Sequence, residues 1–520
     1  MLSGRFQTVP TIHQRQRPRR TIGAYALVVA ICLGAAIACA PVSPSVGGAV
    51  PEFVPVDDDQ AFVTRPYLQL GTQAADDRLT LMWHALSTGS QWRVEVRTRD
   101  EWAPVTAITK RSIVVEPAGS RDIYQADLRG LLPGKVFAYR ILRGDTPVFS
   151  ARARAPKVAG MSSRVVVFGD AGAGTPQQAQ VAYQVYRNDP DLVAIAGDIV
   201  YGGGRMSEYA SRFFPYYNAK SPDPAVGAPL MRSIPFVAAI GNHDAIFHGR
   251  PFTPRTFDGF GYFTYWSHPR NGPLTMIGAP STPAPIGSSV TAEVLHDLVG
   301  ESYPRTANYS FDYGDAHWTV LDSNPYVDWT DATLRRWLDD DLRRASDKRW
   351  RFVLFHHPGV QSSMIYNAQQ QAQMRLVCDL FEKHRVAIVF SGHYHNYQRS
   401  RPVRFALDQA AWRAAADNAP PRSSSSTTPV PGNFRIDRTF DGSGKTSPDG
   451  IIYIVSGAGG AALYEPEYTR NPERWQPYTA QFIADTHSFT VVDIEANRVS
   501  LRQVSSRGDE IDRIVLTKTR

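Results

Sequence analysis

Four apolar runs of strand type each end in a short segment rich in metal-ligating side chains, and a fifth such segment lies inside another run. Val165-Val166-Val167-Phe168 leads to Gly169-Asp170-Ala171-Gly172, and Leu192-Val193-Ala194-Ile195 to Gly197-Asp198-Ile199-Val200-Tyr201. Phe236-Val237-Ala238-Ala239-Ile240 leads to Gly241-Asn242-His243-Asp244, and Ala387-Ile388-Val389-Phe390 to Gly392-His393-Tyr394-His395. Val353-Leu354-Phe355 runs directly into His356. In sheet-based α/β proteins ligands gather outside the carboxyl ends of strands, where glycine lets the backbone turn without a Cβ clash. The five segments are therefore expected to converge on one sheet edge. Carboxylate, amide and phenol oxygens beside several imidazoles suit a pair of first-row transition ions, whereas a magnesium cage would need no histidine.

The spacing between the segments fits this reading. Asp170 to Asp198 spans a strand, a helix and a strand, with Thr175-Pro176 opening a helix through Gln180, Tyr183 and Tyr186. Residues 337–344 form an amphipathic helix feeding the strand 351–355, and the acidic run Asp339-Asp340-Asp341 reads as a solvated face. Residues 309–314 and 318–324 read as a strand pair. Residues 488–494 with a further pair to Leu516 read as strands completing a second sheet. Cys378 sits in a helical pattern as a small core residue, and no disulfide framework follows.

These five motifs, in this order, resemble the purple acid phosphatases of the metallophosphoesterase superfamily. The resemblance implies a two-sheet α/β/β/α sandwich and, residue by residue, a ferric ion held by Asp170, Tyr201 and His395. It implies a divalent partner (Zn2+, Fe2+ or Mn2+) held by Asn242, His356 and His393, with Asp198 bridging the two. His243 is then expected to orient phosphate or protonate the leaving alkoxide. His357 is assigned to the same catalytic work, with a structural role as the alternative, because a strand would turn adjacent rings to opposite sides. Two departures stand out: Asp244 where many members carry Glu, and Gln398 where Tyr-Glu-Arg is common.

Ahead of the first motif the sequence changes character. Residues 79–83 and 92–97 alternate with period two, and 127–134 followed by 137–140 resemble the corner of a fibronectin type III sandwich, with Trp83 as its core tryptophan and His84 facing the other way. Larger members of the family carry such a domain. At 520 residues the chain is long enough for two cores, assigned to 55–157 and 160–520, with insertions at 247–288 and 415–449. His248, in the first insertion, is a substrate-contact candidate; His268, His296, His317, His384 and His487 default to surface or core roles.

Residues 1–40 read as a targeting segment: a basic stretch precedes an uncharged apolar run from Ile22 to Ala40. Arg19-Arg20 resembles a twin-arginine signal, and Ala36-Ile37-Ala38-Cys39 a lipoprotein cleavage box that would place a lipid on Cys39. A retained membrane helix is the alternative. Of the net charge of +7, Arg5, Arg15, Arg17, Arg19 and Arg20 supply five, which leaves +2 and no electrostatic footprint for nucleic acid. The expectation is an exported dimetal phosphohydrolase, an acid phosphatase acting on small phosphomonoesters at mildly acid pH by metal-activated hydroxide attack on phosphorus. A phosphodiesterase for nucleotide or phospholipid-type substrates is the alternative within enzymes, and a surface binding protein with a vestigial site the alternative outside them.

Overall fold

Two β-sheets packed face to face, with helices on their outer faces, carry the motifs in the computed structural model. It describes residues 55–115, 119–245, 261–273, 307–365, 372–417 and 428–518. The targeting segment, Cys39, His248, His296, much of 247–288 and the serine-rich part of 415–449 lie outside the described residues.

The amino-terminal strands are β1 (Thr64–Gln69), β2 (Leu79–Leu86), β3 (Trp92–Arg97), β4 (Ala103–Pro104), β5 (Ile108–Val115), β6 (Gly119–Leu128), β7 (Val136–Arg143) and β8 (Thr146–Arg154). β1-β2-β6-β5 and β4-β3-β7-β8 form the two sheets of a sandwich. Trp83 lies fully buried between them, stacked on Tyr124 at 5.1 Å. His84 does face the other way, but into protein rather than water: its ring stacks on Tyr265 at 4.7 Å. β2 is thus buried on both faces.

The following strands are β9 (Ser163–Phe168), β10 (Leu192–Ile195), the hairpin β11–β12 (Asn218–Asp223, Gly227–Pro229) and β13 (Phe236–Ala238). Next come β14 (Tyr309–Tyr313), β15 (Ala316–Val320), β16 (Trp350–Leu354), β17 (Ile388–Ser391), β18 (Tyr397–Ser400), the hairpin β19–β20 (Val403–Leu407, Gly432–Ile436), β21 (Ile452–Ser456) and β22 (Thr479–Ile483). β23 (Ser488–Glu495), β24 (Arg498–Ser505) and β25 (Glu510–Thr517) close the chain. One sheet runs β25-β24-β23-β9-β10-β13 and continues through the β13–β1 pairing into the sandwich; the other runs β14-β15-β16-β17-β21-β18-β22. The carboxy-terminal strands therefore extend the sheet of the first motif, not the sheet of the histidines, because β23 pairs with β9.

Thr175 caps the helix Pro176–Arg187 by accepting from the Gln178 amide, and Val181, Ala182 and Val185 pack on the outer face of the first sheet. Asp331 caps the helix Ala332–Arg344 in the same way, and Leu334, Leu338 and Leu342 cover the second sheet. The inter-sheet core and the sandwich core are continuous, and the described residues fall in one compact unit. Cys378 is buried and unpaired by a disulfide. No helix among the described residues is long and apolar enough to cross a membrane.

The acidic run in the second helix is not wholly a solvated face. Asp341 falls on the same stripe as the helix's leucines, is 2% exposed, and accepts from Ser310 Oγ at 2.6 Å and Thr319 Oγ1 at 2.9 Å. His317 bridges it to the sheet, with Nε2 3.1 Å from Asp341 and Nδ1 2.8 Å from Asp312. Burial alone would favour the neutral ring, but the two carboxylates outweigh it and raise the imidazole from 6.5 to about 9. Because the folded value lies above the unfolded one, this stabilisation is fully present below pH 6.5 and is lost as pH rises through about 9. A shift of that size is worth on the order of 3 kcal/mol at most. His317→Gln is expected to lower the melting temperature by a few degrees at pH 6 and by much less at pH 10, read by thermal melts across that range.

Candidate metal centre

Each sequence-predicted ligand sits two to six residues beyond the end of a strand. Asp170 follows β9, Asp198 and Tyr201 follow β10, Asn242 follows β13, His356 follows β16, and His393 and His395 follow β17. Asp170, Asp198 and His393 have φ of 57°, 48° and 70°, a left-handed conformation that side-chain-bearing residues seldom adopt and that concentrates at functional sites. Glycines let the loops close in: a Cβ on Gly241 would lie 2.1 Å from the Asp198 nitrogen, and one on Gly392 would lie 2.5 Å from Asp170 Oδ2.

The side chains form two joined groups. In the first, the Tyr201 hydroxyl is 3.1 Å from Asp170 Oδ1 and 2.8 Å from His395 Nε2, which is itself 3.5 Å from Asp170. In the second, Asn242 Oδ1 lies 2.9 Å from His356 Nε2 and 3.0 Å from His393 Nδ1. Asp198 stands between them, 2% exposed, with Oδ1 3.3 Å from His356 Nε2 and accepting from the His243 amide at 2.8 Å. Ligand atoms of Asp170, Asp198 and His356 all lie within 4.8 Å of one another, and so do those of His356, His357 and His393.

Backbone carbonyls fix which ring nitrogens face inward. His356 Nδ1 is 2.8 Å from the Ala196 carbonyl and His395 Nδ1 is 2.6 Å from that of Ala462. Each Nδ1–H donates outward, which turns Nε2 toward the site. Ser323 Oγ accepts from the amides of His356 and His357 and lies 3.1 Å from His357 Nδ1, so its own proton points there and the other nitrogen, Nε2, carries the ring's proton. His357 is not turned away as a strand would require. β16 ends at Leu354, and the His357 ring lies 4.4 Å from that of His393. The His243 ring lies 4.7 Å from Tyr201, and its Nε2 is 4.0 Å from Asp198 Oδ2.

The donor set is electrostatically incomplete as bare protein. Burial raises the Asp170 carboxyl well above its usual range, and the Asp198 charge adds to this. Asp198 is also penalised by burial, but the His356 imidazolium and the His243 side pull it far down. Burial depresses His393 strongly and His395 to about 4. Tyr201 is pushed up by burial and by Asp170 and Asp198. Burial opposes the charge on His356, but Asp198 and Asp170 in turn raise it to about 9, so in the bare protein its proton partly stands in for a cation. Imidazoles, carboxylates, an amide oxygen and a phenol converge on one buried volume, and cations in that volume would satisfy them together. The donor types fit first-row transition ions.

Sequence reasoning missed the groups that hold this arrangement. Asp244 is fully buried, and its carboxylate accepts from the amides of Gly241 at 2.9 Å and Ile199 at 3.0 Å, tying the Asn242 turn to the Asp198 turn. Its position directly after His243 was visible, but its partners are backbone amides that no linear pattern marks. Tyr464 stacks on His395 at 3.9 Å, from a loop far along the chain. Asp244→Ala is expected to lower metal affinity at least tenfold while circular dichroism stays native, measured as metal retained after dialysis against graded chelator.

Residues 163–397 match the calcineurin-like phosphoesterase family. Among curated proteins, the Arabidopsis thaliana "Probable inactive purple acid phosphatase 27" is 25% identical over 399 residues, covering 68% of this chain and 59% of the relative. "Purple acid phosphatase 23" from the same plant is 24% identical over 302 residues, covering 55% and 59%. The chain thus spans about 59% of the length of either plant relative. A purple acid phosphatase isolated from yellow lupin (Lupinus luteus) seeds superposes with a TM-score of 0.57 at 17% identity, over 87% of this chain and 74% of that one, a likeness of fold.

Proposed function

We propose, taking the metallophosphoesterase domain as premise, that this chain is an exported acid phosphatase that uses a ferric ion and a divalent partner to hydrolyse small phosphomonoesters at mildly acid pH. The observation that carries the reading is the convergence of Asp170, Tyr201 and His395 with Asn242, His356 and His393 on the two sides of buried Asp198. Asp170, Tyr201 and His395 would hold the ferric ion, the other three the divalent ion, and Asp198 both. Bound together, such ions polarise phosphoryl oxygens and make water a nucleophile below neutral pH.

The chain's own residues have separate tasks. Asn242 contributes a neutral oxygen, which limits the negative charge facing an anionic substrate. His243 is 30% exposed at its side chain and adjoins both Asp198 and Tyr201, so it can orient a phosphoryl oxygen or hold a proton for the departing alkoxide. His357, with Ser323 on Nδ1, is expected to keep its proton on Nε2, beside His393, and share that work. Export rests on residues 1–40, through a twin-arginine-like signal and acylation of Cys39.

Release of phosphate from an aromatic phosphomonoester between about pH 4 and 9 tests the reading. Asp198→Asn is expected to lower turnover at least a thousandfold. Turnover of a paired diester that exceeds the monoester's would move the assignment to phosphodiesterase, and equal near-zero rates in both proteins would favour a vestigial site. A phenolate on ferric iron gives a visible charge-transfer band. Iron-loaded protein is expected to be coloured and Tyr201→Phe to be bleached; a colourless, active wild-type enzyme would sink the ferric assignment alone.

A further inference from the structure

At the sheet edge opposite the metal centre, where β16 and β17 begin and β25 ends, lies a cavity of about 560 Å3. Its walls are strongly cationic. Lys348 and Arg404 are already held, by Asp312 at 2.8 Å and Asp449 at 2.8 Å. Glu382 accepts from the Phe405 amide and lies 3.7 Å from Arg404. Arg349 donates to the Ala496 carbonyl and to Asn497 Oδ1. That leaves Arg351, Arg385 and Lys518, and no carboxylate among the described residues is within ion-pair distance of these three. Exposed Asp347 is the one acid on the wall left to face them.

These cations are fixed in place by neutral groups. Arg351 donates to the carbonyls of His384 at 2.6 Å, Ala345 at 2.9 Å and Lys348 at 3.2 Å. Lys518 Nζ donates to the Arg349 carbonyl at 2.6 Å and sits 4.6 Å above the Trp350 ring. Carbonyl dipoles orient a cation without cancelling its charge. Burial, followed by the fields of Arg351, Arg349 and Arg385, lowers the Lys518 ammonium to about 8, and burial with Arg385 lowers Arg351 as well. A fold that crowds like charges in a concave site without a matching acid leaves room for an anion to stabilise it.

We infer that this cavity binds a soluble diphosphate-type anion, with Arg351, Arg385 and Lys518 as its charge partners and Trp350 as its floor. Three cations call for more charge than a monoanion carries, and the volume falls in the ~300–1,000 Å3 range of small-molecule sites. The site is separate from the metal centre and does not depend on the catalytic assignment.

Calorimetric titration with pyrophosphate tests it, using full-length protein carrying Asp198→Asn to suppress hydrolysis. Arg385→Gln and Lys518→Met are each expected to weaken one binding event at least tenfold and leave any event at the metals unchanged. Arg385 is exposed, so that variant keeps its fold even if Lys518→Met does not. In a second measurement, pyrophosphate is expected to slow acetylation of Lys518 at least fivefold relative to exposed Lys135, read by mass spectrometry, and a nucleoside diphosphate to do the same. Binding indifferent to both variants, unchanged acetylation of Lys518, or protection only by phosphatidic acid vesicles would each overturn the proposal.

Discussion

The metal centre depends on a set of backbone hydrogen bonds that lock the end of one sheet to the end of the other. The Gly169 amide donates to the Ser456 carbonyl at 2.7 Å, Gly459 donates back to Gly169 at 3.1 Å, and Ala461 donates to the Asp170 carbonyl at 2.9 Å. Residues from opposite sheets would otherwise end some distance apart, since facing sheets pack about 10 Å from one another. Glycine makes the approach feasible: a Cβ on Gly459 would lie 2.2 Å from the Gly169 oxygen. With this seam closed, the His393 amide reaches Asp170 Oδ2 at 2.9 Å, and ligands from both sheets surround one volume.

The amino-terminal sandwich is more than an appended module. β1 pairs with β13, the Tyr67 hydroxyl donates to the Tyr265 carbonyl at 2.8 Å, and the Tyr139 hydroxyl donates to the Arg232 carbonyl at 2.8 Å. His84, fully buried against Tyr265, is held neutral by burial and the nearby Arg121 and Arg111. The two tyrosine hydrogen bonds and the aromatic seam around His84 would all be lost on detachment. β13 leads directly to Asn242 and His243, so the sandwich braces one of the turns on which the site rests.

The two strand ends carry opposite chemistry. At the carboxyl ends, carboxylates, a phenol and imidazole lone pairs converge; at the amino ends of β16 and β17, guanidinium and ammonium groups gather around Trp350. β16 joins the two directly, with Trp350 at one end and His356 just past the other. Only the buried Phe352, Val353, Leu354 and Phe355 separate Arg351 in the cationic cavity from the candidate ligand His356.

Much of the site was legible in the sequence. The apolar runs before Asp170, Asp198, Asn242 and His393 emerged as β9, β10, β13 and β17, because unbroken Val, Ile and Ala stretches bounded by glycine have few other places than a buried parallel sheet. Thr175-Pro176 opened its helix for a purely local reason, a side-chain cap and a fixed φ. The sequence by itself thus determined which residues stand at strand ends and which donor types they bring. What only the tertiary structure decided was anything set by long-range packing. Asp341 looked like part of a solvated face but is buried against His317, His84 faces away from Trp83 as expected but its partner there, Tyr265, was not visible, and Asp244 was not among the expected ligands but ties two turns through their amides. Side-chain pattern reports local periodicity, whereas the partner of a buried polar group is chosen by chain segments dozens to hundreds of residues away, and only folding brings those together.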